Sequence, residues 1–353
     1  MAERPVSLSP RPNDVAAEHQ PGAGTDSDPL SGVLKTVRLT GAVFFMLDLA
    51  RPWTTEVPDG TTLATILLAH AQTIVSYHVV TRGTLWCGLP GSAPVALDEG
   101  DVLVFPRGDA YFLSMTGGPL PAGDPEATLS FFHACAAGQI PFAVNAGGEG
   151  AREATLLCGF LGCDLVPYNP ILGVLPKLLV LRRSSAASGD GLDQLIALTV
   201  AESREQRAGK DSIRLRLSEL MFVEVLRRYM ATLSPDENGW LAGMRDPVVG
   251  RALAQLHEQP ARAWTLQQLA RDVGTSRSAL ADRFARLVGE PPIQYLMRWR
   301  MQVAARRLTE GQDKVSAIAL DVGYDSEASF SRAFKRMAGL PPAAWRQRYG
   351  NVR

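Results

Sequence analysis

Several features are scarce in this sequence of 353 residues, and each absence excludes a class of protein. No uninterrupted apolar run reaches the ~20 residues that a membrane-spanning helix needs. Four cysteines are too few for the disulfide framework of a small secreted domain. Residues 1–28 carry two early arginines but no apolar core of the kind that a secretory signal has. We therefore expect a protein of the reducing cytoplasm that has no membrane partner.

Motifs of catalysis are missing as well. The sequence contains no Gly-x-Ser-x-Gly turn, no Walker phosphate loop, no His-Glu-x-x-His zinc motif and no glycine-rich dinucleotide fingerprint. Only five histidines are available as general bases. On these grounds we expect that the protein is not an enzyme.

The net charge of zero conceals an uneven distribution of charge along the chain. From Asp246 onward there are 17 basic and 10 acidic side chains, whereas the preceding part has 19 basic and 26 acidic ones. A basic segment joined to an acidic one is typical of a nucleic-acid-binding domain with a separate regulatory domain. The length allows two such domains, each with its own core.

The basic segment contains one helical pattern twice, about fifty residues apart. The first copy reads Leu269-Ala270-x-x-Val273-Gly274-x-Ser276-x-x-x-Leu280-x-x-x-Phe284 and closes with Gly289-x-Pro291-Pro292-x-x-Tyr295. The second reads Ile318-Ala319-x-x-Val322-Gly323-x-x-Ser326-x-x-x-Phe330-x-x-x-Phe334 and closes with Gly339-x-Pro341-Pro342-x-x-Trp345. Apolar residues at three- and four-residue spacing, a glycine at the bend and a serine before the next helix predict two helix-turn-helix modules in tandem.

Local chemistry supports this prediction in both copies. Thr265 and Gln268 fit a capping box at a helix start, and Gly274 suits the left-handed turn that ends that helix. Ser276 and Ser326 are the expected caps of the two second helices. The residues expected to face outward are Arg277, Ser278, Ala281 and Asp282 in the first module, and Glu327, Ala328, Ser329 and Arg332 in the second.

Residues 293–308 lie between the modules and are rich in helix formers. Sixteen residues in a helix make a rod of roughly 24 Å. Such a rod could hold two recognition helices about one turn of DNA apart, roughly 34 Å. One chain would then read two consecutive segments of the major groove.

Residues 246–349 resemble the DNA-binding domain of AraC/XylS-type transcription regulators. The resemblance is carried by Val322-Gly323-Tyr324-x-Ser326-x-x-x-Phe330-Ser331-Arg332-x-Phe334-Lys335 and by Gly339-x-Pro341-Pro342-x-x-Trp345-Arg346. It implies a transcription regulator whose partners are double-stranded promoter DNA and RNA polymerase. It also implies that the outer faces of both recognition helices meet base edges, at Ser278, Ala281, Asp282, Glu327, Ala328, Ser329 and Arg332. Of these, Ala281 and Asp282 depart from the larger polar or basic residues common at their positions.

Arg332 is the expected base contact, most naturally to guanine. Phosphate contacts near the groove should supply most of the affinity and make it fall with salt. The residues expected to make them are Ser276, Arg277, Arg283, Arg286, Lys335 and Arg336.

The part of the chain before the modules changes character twice. Residues 1–28 lack apolar periodicity, and we expect a disordered tail there. Residues 29–185 then contain short apolar runs separated by turn residues, which predict a β-sandwich or barrel. The predicted strands cover residues 37–47, 62–68, 74–80, 84–89, 102–105, 111–114, 129–135 and 154–160.

Within this region, residues 77–83 and 97–108 resemble a cupin, a jelly roll of two sheets with a pocket between them. Its Gly-x5-Pro-x-Gly element is present at Gly100, Pro106 and Gly108. Alignment on Gly83 and Gly108 puts His70, Gln72, Ser76 and Tyr111 at the four metal-ligand positions of cupins. Because only His70 is of a ligand type, we expect no metal and no other cofactor. A metal-dependent cupin enzyme fused to a DNA-binding domain remains the alternative interpretation.

The same pocket is the expected site of an unknown small-molecule effector. Its candidate residues are His70, Gln72, Ser76, His78 and Tyr111. For both histidines, the favoured interpretation is that they are ordinary residues of the wall or the core. An oxidant is the other possible effector, sensed through Cys87 or Cys158. The bland alternative is that these cysteines are small buried hydrophobic residues.

Residues 186–245 are expected to form a helical region, because residues 192–206 and 213–230 place apolar residues at helical spacing. The resemblance implies that such helices connect the sensor to the DNA-binding domain and pair two chains, which would make a homodimer. Packing within one chain is an equal alternative. Together these observations predict two domains: an all-β cupin at residues 29–185 with a helical extension, and an all-α tandem helix-turn-helix domain at residues 246–353.

Overall fold

The structure is a computed structural model that describes residues 29–36, 39–117, 123–164, 166–183, 191–204, 208–233 and 239–350. The tail predicted for residues 1–28 lies outside these ranges. The described part confirms the two-part fold, with strands before residue 182 and helices alone after residue 190. None of its helices is both long and apolar enough to cross a membrane.

Ten strands in the described ranges form two sheets that pack face to face. Their bounds are β1 Leu39–Ala50, β2 Thr54–Val57, β3 Thr73–Arg82, β4 Leu85–Gly88, β5 Val95–Leu97, β6 Val102–Phe105, β7 Tyr111–Ser114, β8 Ala143–Gly147, β9 Ala154–Cys163 and β10 Leu179–Leu181. The larger sheet has the order β10-β6-β3-β9-β1-β8, and the smaller one has the order β2-β7-β4-β5. All pairs are antiparallel except β1 with β8. Apolar side chains from both sheets form one core between them, as in a cupin.

The glycine motif closes one end of this sandwich. Gly108 ends the turn after β6 with φ of 69°, a conformation that side chains disfavour. Its carbonyl oxygen accepts a hydrogen bond of 2.7 Å from the amide of Gly60. A Cβ atom on Gly60 would lie 2.4 Å from the carbonyl oxygen of Ile74. The backbones approach too closely here for any residue other than glycine.

Two predicted strands are wrong, because residues 62–68 and 129–135 belong to helices. These are α2 Gly60–Leu67 and α3 Pro125–Ala136. Asp59 caps α2 by accepting from the amides of Thr61 and Thr62. Asp124 caps α3 by accepting from the amide of Ala127, and Pro125 occupies the first helical position, where its missing N–H costs nothing. Short apolar runs do not distinguish strand from helix, and the caps decide.

The helical extension consists of α4 Gly191–Arg204 and α5 Lys210–Thr232. One face of α5 packs on the outer face of the larger sheet, where Met221, Val225 and Leu226 share an apolar cluster with Val75 and Val79 of β3. The extension therefore packs within its own chain, which was one of the two alternatives. That packing leaves the opposite side of the helix pair exposed.

Eight helices follow in the described remainder of the chain. They are α6 Trp240–Arg245, α7 Val249–Glu258, α8 Leu266–Asp272, α9 Arg277–Val288, α10 Pro292–Glu310, α11 Val315–Asp321, α12 Glu327–Ala338 and α13 Pro342–Tyr349. The predicted linking helix appears as α10, about 28 Å long. Trp240 is buried, and its indole N–H donates to the Tyr295 hydroxyl at 2.9 Å. Helix α6 thus packs against α10.

The sensor touches the DNA-binding helices at several places, and two of them involve α1 and Tyr168. A short first helix, α1 Pro29–Thr36, buries Leu30 and Val33 in one apolar cluster with Leu256 of α7 and Trp299 of α10. The second place is Tyr168, in the segment after β9. The Tyr168 amide donates to the buried Gln302 side chain of α10 at 3.1 Å.

Candidate DNA-binding surface and sensor cavity

The first module begins with the predicted capping box. The Thr265 hydroxyl accepts from the Gln268 amide, and the Gln268 side chain accepts from the Thr265 amide, both at 3.1 Å. These bonds satisfy two amides that have no partner inside the helix. Gly274 adopts φ of 74° in the bend that follows. The bend directs the chain into α9.

Helix α9 is held by its buried face. Ser276 accepts from the Ala279 amide at 3.2 Å, while Leu280, Phe284 and Leu287 lie in the core. The opposite face leaves Ser278 and Asp282 exposed and Ala281 half-buried. The three base-reading candidates of the first module therefore share one outward side.

Helix α12 repeats this arrangement in the second module. Ser326 accepts from the Ser329 amide at 3.3 Å, and Phe330 and Phe334 are fully buried. The candidates Glu327, Ala328 and Arg332 are exposed and Ser329 is half-buried. Glu327 lies in the first turn, where a carboxylate is favourable for the helix dipole. Arg332 has no hydrogen bond or ion pair with another described residue.

The predicted phosphate contacts divide into two groups. Four cations on the two recognition helices are exposed and unpaired within the described ranges: Arg277, Arg286, Lys335 and Arg336. Ser276 is exposed at the start of α9, and Arg277 beside it borders a surface depression of 430 Å³ that also includes Arg271 and Thr275. These groups are free to meet DNA.

Arg283 is different, because it is paired with an acidic residue of its own chain. Its Nε and Nη2 atoms lie 2.7 and 2.6 Å from one carboxylate oxygen of Asp246. The other oxygen of Asp246 accepts from the amides of Val248 and Val249 at the start of α7. Arg283 therefore ties α9 to α7, because its guanidinium already has an acidic partner. Spacing along the sequence could not reveal a partner 37 residues away.

The sensor contains a cavity of 220 Å³ between its two sheets. The walls are mostly aromatic and aliphatic, and α3 forms one side. The lining residues are Phe45, Leu47, Trp53, Thr54, Thr55, Val57, His78, Leu113, Asp124, Ala127, Thr128, Phe131, Phe132, Ala146, Cys158 and Phe160. Apolar cavities of about 150 Å³ hold benzene, so this one has room for a substituted ring.

His78 is the buried polar group that borders this cavity. Its Nε2 atom lies 2.6 Å from the Tyr111 hydroxyl, and its Nδ1 atom has no partner among the described residues. Burial lowers the pKa of His78 to about 3, so the ring is neutral at pH 7. Tyr111 lies behind His78, stacked on Phe105, and Ser76 is its second hydrogen-bond partner. The His78 ring that borders the cavity thus has one uncharged nitrogen without a hydrogen-bond partner among the described residues.

The five predicted effector residues do not form one pocket. His70 is exposed after α2, and Gln72 binds the backbone of Val166 on the outside of the sensor. Both border a separate cleft of 520 Å³ that is completed by Arg348 and Tyr349 of α13. Aligning this sequence with the cupin pattern misplaced them, because the region before β3 is helical here. The cavity residues on α3 were missed because residues 129–135 were predicted to form a strand.

This placement also separates the four positions proposed for a metal. His70 and Gln72 lie outside, whereas Ser76 and Tyr111 lie inside. Within the described ranges, no group of three His, Cys, Asp or Glu side chains is arranged to hold a metal ion. The donor set on which the metal-enzyme interpretation depends is therefore not assembled.

The cysteines are free thiols in a poor environment for oxidation. Cys87 and Cys158 are both buried. Burial raises the pKa of Cys87 to about 12 and that of Cys158 well above its ordinary value. Since the thiolate is the reactive form, this conformation does not favour either residue as a sensor of oxidants.

A larger depression of 900 Å³ lies outside the smaller sheet, bordered by Pro58, Pro90, Pro94 and Phe112. Tyr111 is the buried polar side chain among its described lining residues, and it is already bonded to His78. Its other polar lining residues, Glu56, Thr62 and Ser92, are exposed to solvent. The cavity beside His78 is the better candidate despite its smaller volume.

Comparison with known proteins agrees with this geometry. A family model described as cupin matches residues 28–231, and one described as a helix-turn-helix domain matches residues 269–348. A Streptomyces lividans protein described as an AraC-like transcription regulator is 33% identical over 283 residues, covering 78% of this chain and 88% of that protein. The HTH-type transcriptional regulator AlkR of Acinetobacter baylyi is 29% identical over 278 residues, covering 78% and 89%.

Among solved structures, the C-terminal domain of AraT, a response regulator from Geobacillus stearothermophilus, is 29% identical. The alignment covers 30% of this chain and 89% of the AraT domain, with a TM-score of 0.30.

Proposed function

This chain belongs to the AraC-like transcription regulators, and from that premise we propose that it reads promoter DNA with both recognition helices under the control of a small molecule held in the sensor cavity. The observation that carries the proposal is the pair of serine-capped helices, α9 and α12, whose outward faces are exposed. Four unpaired cations flank those faces. A promoter-bound regulator acts through RNA polymerase, which we propose as the second macromolecular partner.

The two modules have different parts in this proposal. The second presents Arg332, which could form a bidentate contact with guanine, together with Lys335 and Arg336 for the phosphates. The first presents Ser278 and Asp282, which are short or acidic, so its base contacts should be fewer. We therefore expect the half-site read by α12 to be the more stringent one.

Selection of binding sites from random DNA with the full-length protein tests this reading. The selected DNA should contain two short conserved segments about one helical turn apart, the segment under α12 being the better conserved. Fluorescence anisotropy would then compare the selected site with a scrambled one. Absence of any enriched sequence, or a single enriched segment, contradicts reading by two helices.

For the effector we propose a small, mostly apolar molecule with one hydrogen-bonding group. The cavity walls disfavour an anionic ligand, because a negative charge buried against aromatic residues and the Asp124 carboxylate lacks compensation. The neutral Nδ1 atom of His78 would pair with a hydroxyl or carbonyl of the ligand. Oxidation is the less favoured signal, because the thiols of Cys87 and Cys158 are buried and protonated.

Phenol and toluene are matched probes of this cavity, since they differ in one polar group. Trp53 borders the cavity, so its fluorescence should report occupancy, and Trp53→Phe would identify its signal among the six tryptophans. We expect phenol to bind more tightly than toluene, and His78→Leu to remove that preference. An equal preference in the parent and His78→Leu would contradict the role of His78.

A homodimer through the helical extension is a further part of the proposal. Leu198 of α4 is 52% exposed, and Ile213 and Leu220 of α5 are 41% and 52% exposed. Exposed leucine and isoleucine side chains on a helix pair favour association with a second copy. Sedimentation of the parent should show a dimer that Leu220→Glu converts to a monomer, while Leu320→Glu, at an exposed leucine of α11, serves as the control. A monomeric parent contradicts this part.

A further inference from the structure

The linking helix α10 carries an arginine whose contacts are unlike those of its neighbours. The Nε atom of Arg300 donates to the Pro260 carbonyl at 2.7 Å, and an Nη atom donates to the Arg262 carbonyl at 2.9 Å. The other Nη atom donates to the Gly323 carbonyl at 3.1 Å. Pro260 and Arg262 lie in the loop before α8, whereas Gly323 lies in the bend between α11 and α12. One guanidinium therefore joins the first module to the second.

The backbones of the two modules are in close contact at this point. Gly323 has φ of 82°, and a Cβ atom there would lie 2.6 Å from the Ala261 carbonyl oxygen and 2.7 Å from an Nη atom of Arg300. The loop of the first module is itself fixed, because the Arg262 guanidinium lies 3.9 Å from the Trp264 ring and 3.2 Å from Asp272. Glycine at residue 323 thus permits a direct contact between the loop and the bend.

Each of the other three arginines of α10 has contacts with at most one module. Arg306 pairs with Glu310 on the same helix, and Arg307 pairs with Asp313 and Asp321 at the second module. Arg298 pairs with Glu290 and faces Tyr168 of the sensor. Arg300 alone among these four contacts both modules. Its hydrogen bonds are charge-assisted and partly shielded from water, which makes them stronger than neutral ones.

We propose that Arg300 sets the register between the two recognition helices and thereby the spacing of half-sites that the protein accepts. It is a positioning residue, because it acts on DNA only through α9 and α12. The inference rests on the proposed reading of DNA by both helices. Each added base pair moves the second half-site by about 3.4 Å and rotates it by about 35°. A rigid pair of modules cannot follow that displacement, whereas a loosened pair can.

The test measures spacing preference with full-length protein. The DNA set consists of the selected site, the same site with one base pair inserted or removed between its half-sites, and a single half-site. Arg300→Lys keeps the charge but not the fork of three donors, and Arg300→Leu removes both. Arg306→Leu is the matched control, because it removes an arginine of the same helix whose partner, Glu310, lies on that helix and in neither module.

For the parent we expect a loss of about tenfold or more for each altered base pair, similar to a mismatch. Both Arg300 variants should reduce that loss to about threefold or less, while Arg306→Leu keeps the parent's value. Affinity for the single half-site should remain within about twofold in every variant. This last measurement separates positioning from folding, since a misfolded module would bind the half-site poorly.

Three results would overturn the inference. The first is an undiminished spacing penalty in both Arg300 variants. The second is an equal loss of affinity for the full site and the single half-site, which would mean that Arg300 only supports folding. If Arg300→Leu does not fold, the same comparison is made with Arg300→Lys. The third is a parent that binds one half-site as tightly as two, which overturns the proposed two-helix reading together with this inference.

Discussion

Replacing Arg332 by alanine should weaken binding to the selected DNA site without weakening the fold. The side chain is exposed on α12 and has no hydrogen bond or ion pair with another described residue. The buried face of α12, formed by Phe330, Ala333 and Phe334, is untouched by the change. Surface substitutions of this kind alter the free energy of unfolding by about 0.5 kcal/mol or less. Any larger effect must then arise at the DNA.

The expected loss follows from the chemistry of the contact. A bidentate pair between arginine and guanine contributes about 1–3 kcal/mol of discrimination, which corresponds to about 5- to 150-fold in affinity. Lys335 lies one turn away on the same helix, exposed and unpaired within the described ranges. Its replacement by alanine should weaken binding to all sequences and reduce the slope of log K against log salt by about 1.

Fluorescence anisotropy of both variants, on the selected site and on a scrambled site at several salt concentrations, separates these effects. Arg332→Ala should lose affinity mainly for the selected site and keep the parent's salt dependence. If Arg332→Ala binds the selected site as tightly as the parent, or loses the same factor on scrambled DNA, then Arg332 does not read a base. Thermal unfolding of each variant verifies that the fold is intact.

Three further predictions concern contacts found only in the folded chain. His78 has a pKa of about 3 when folded and about 6.5 when unfolded, so the unfolded state takes up a proton at this residue as the pH falls from 6.5 to 3. His78 alone should then contribute a decrease in stability of about 1.4 kcal/mol per pH unit in that window, and the buried His257 adds a similar contribution. Urea unfolding of His78→Leu should therefore show a shallower dependence on pH than the parent. Arg283→Gln should leave the salt slope of DNA binding unchanged, because Asp246 already occupies this guanidinium; a decrease by about 1 would restore the phosphate contact. Tyr168→Ala removes an edge-to-face contact with Tyr295, whose ring centroid is 5.9 Å away, and such a contact contributes about 0.5–1.5 kcal/mol. The loss should speed amide hydrogen exchange at the start of α10. Unchanged exchange would contradict a contact between the sensor and the linking helix.

The DNA-binding half could be predicted closely because its signals are local. The capping box of Thr265 and Gln268, the left-handed Gly274 and the serine caps all act within four residues, so their spacing in the sequence is sufficient. The fold of the sensor half was harder to predict from the sequence. Its strands β6 and β7 appear as predicted, but α2 and α3 were read as strands because short apolar runs suit either structure.

The candidate sites differ in the same way in how well the sequence predicts them. The outward faces of α9 and α12 follow from helical periodicity once Leu280, Phe284, Phe330 and Phe334 are recognised as the buried residues. The effector pocket does not follow in this way, because His78 and the lining residues of α3 come from separate parts of the chain. Alignment to a general cupin pattern therefore placed His70 and Gln72 in a pocket that they do not enter.

The sequence by itself determined which segments form the two modules, where their helices begin and end, and that a basic domain follows an acidic one. These properties depend on hydrogen bonds and apolar spacing between near neighbours. Only the tertiary structure decided that Arg283 belongs to Asp246, that Arg300 joins two modules and that His78 borders a cavity with one nitrogen unsatisfied. Each of these depends on groups far apart in sequence, whose meeting is determined by how whole helices and sheets pack.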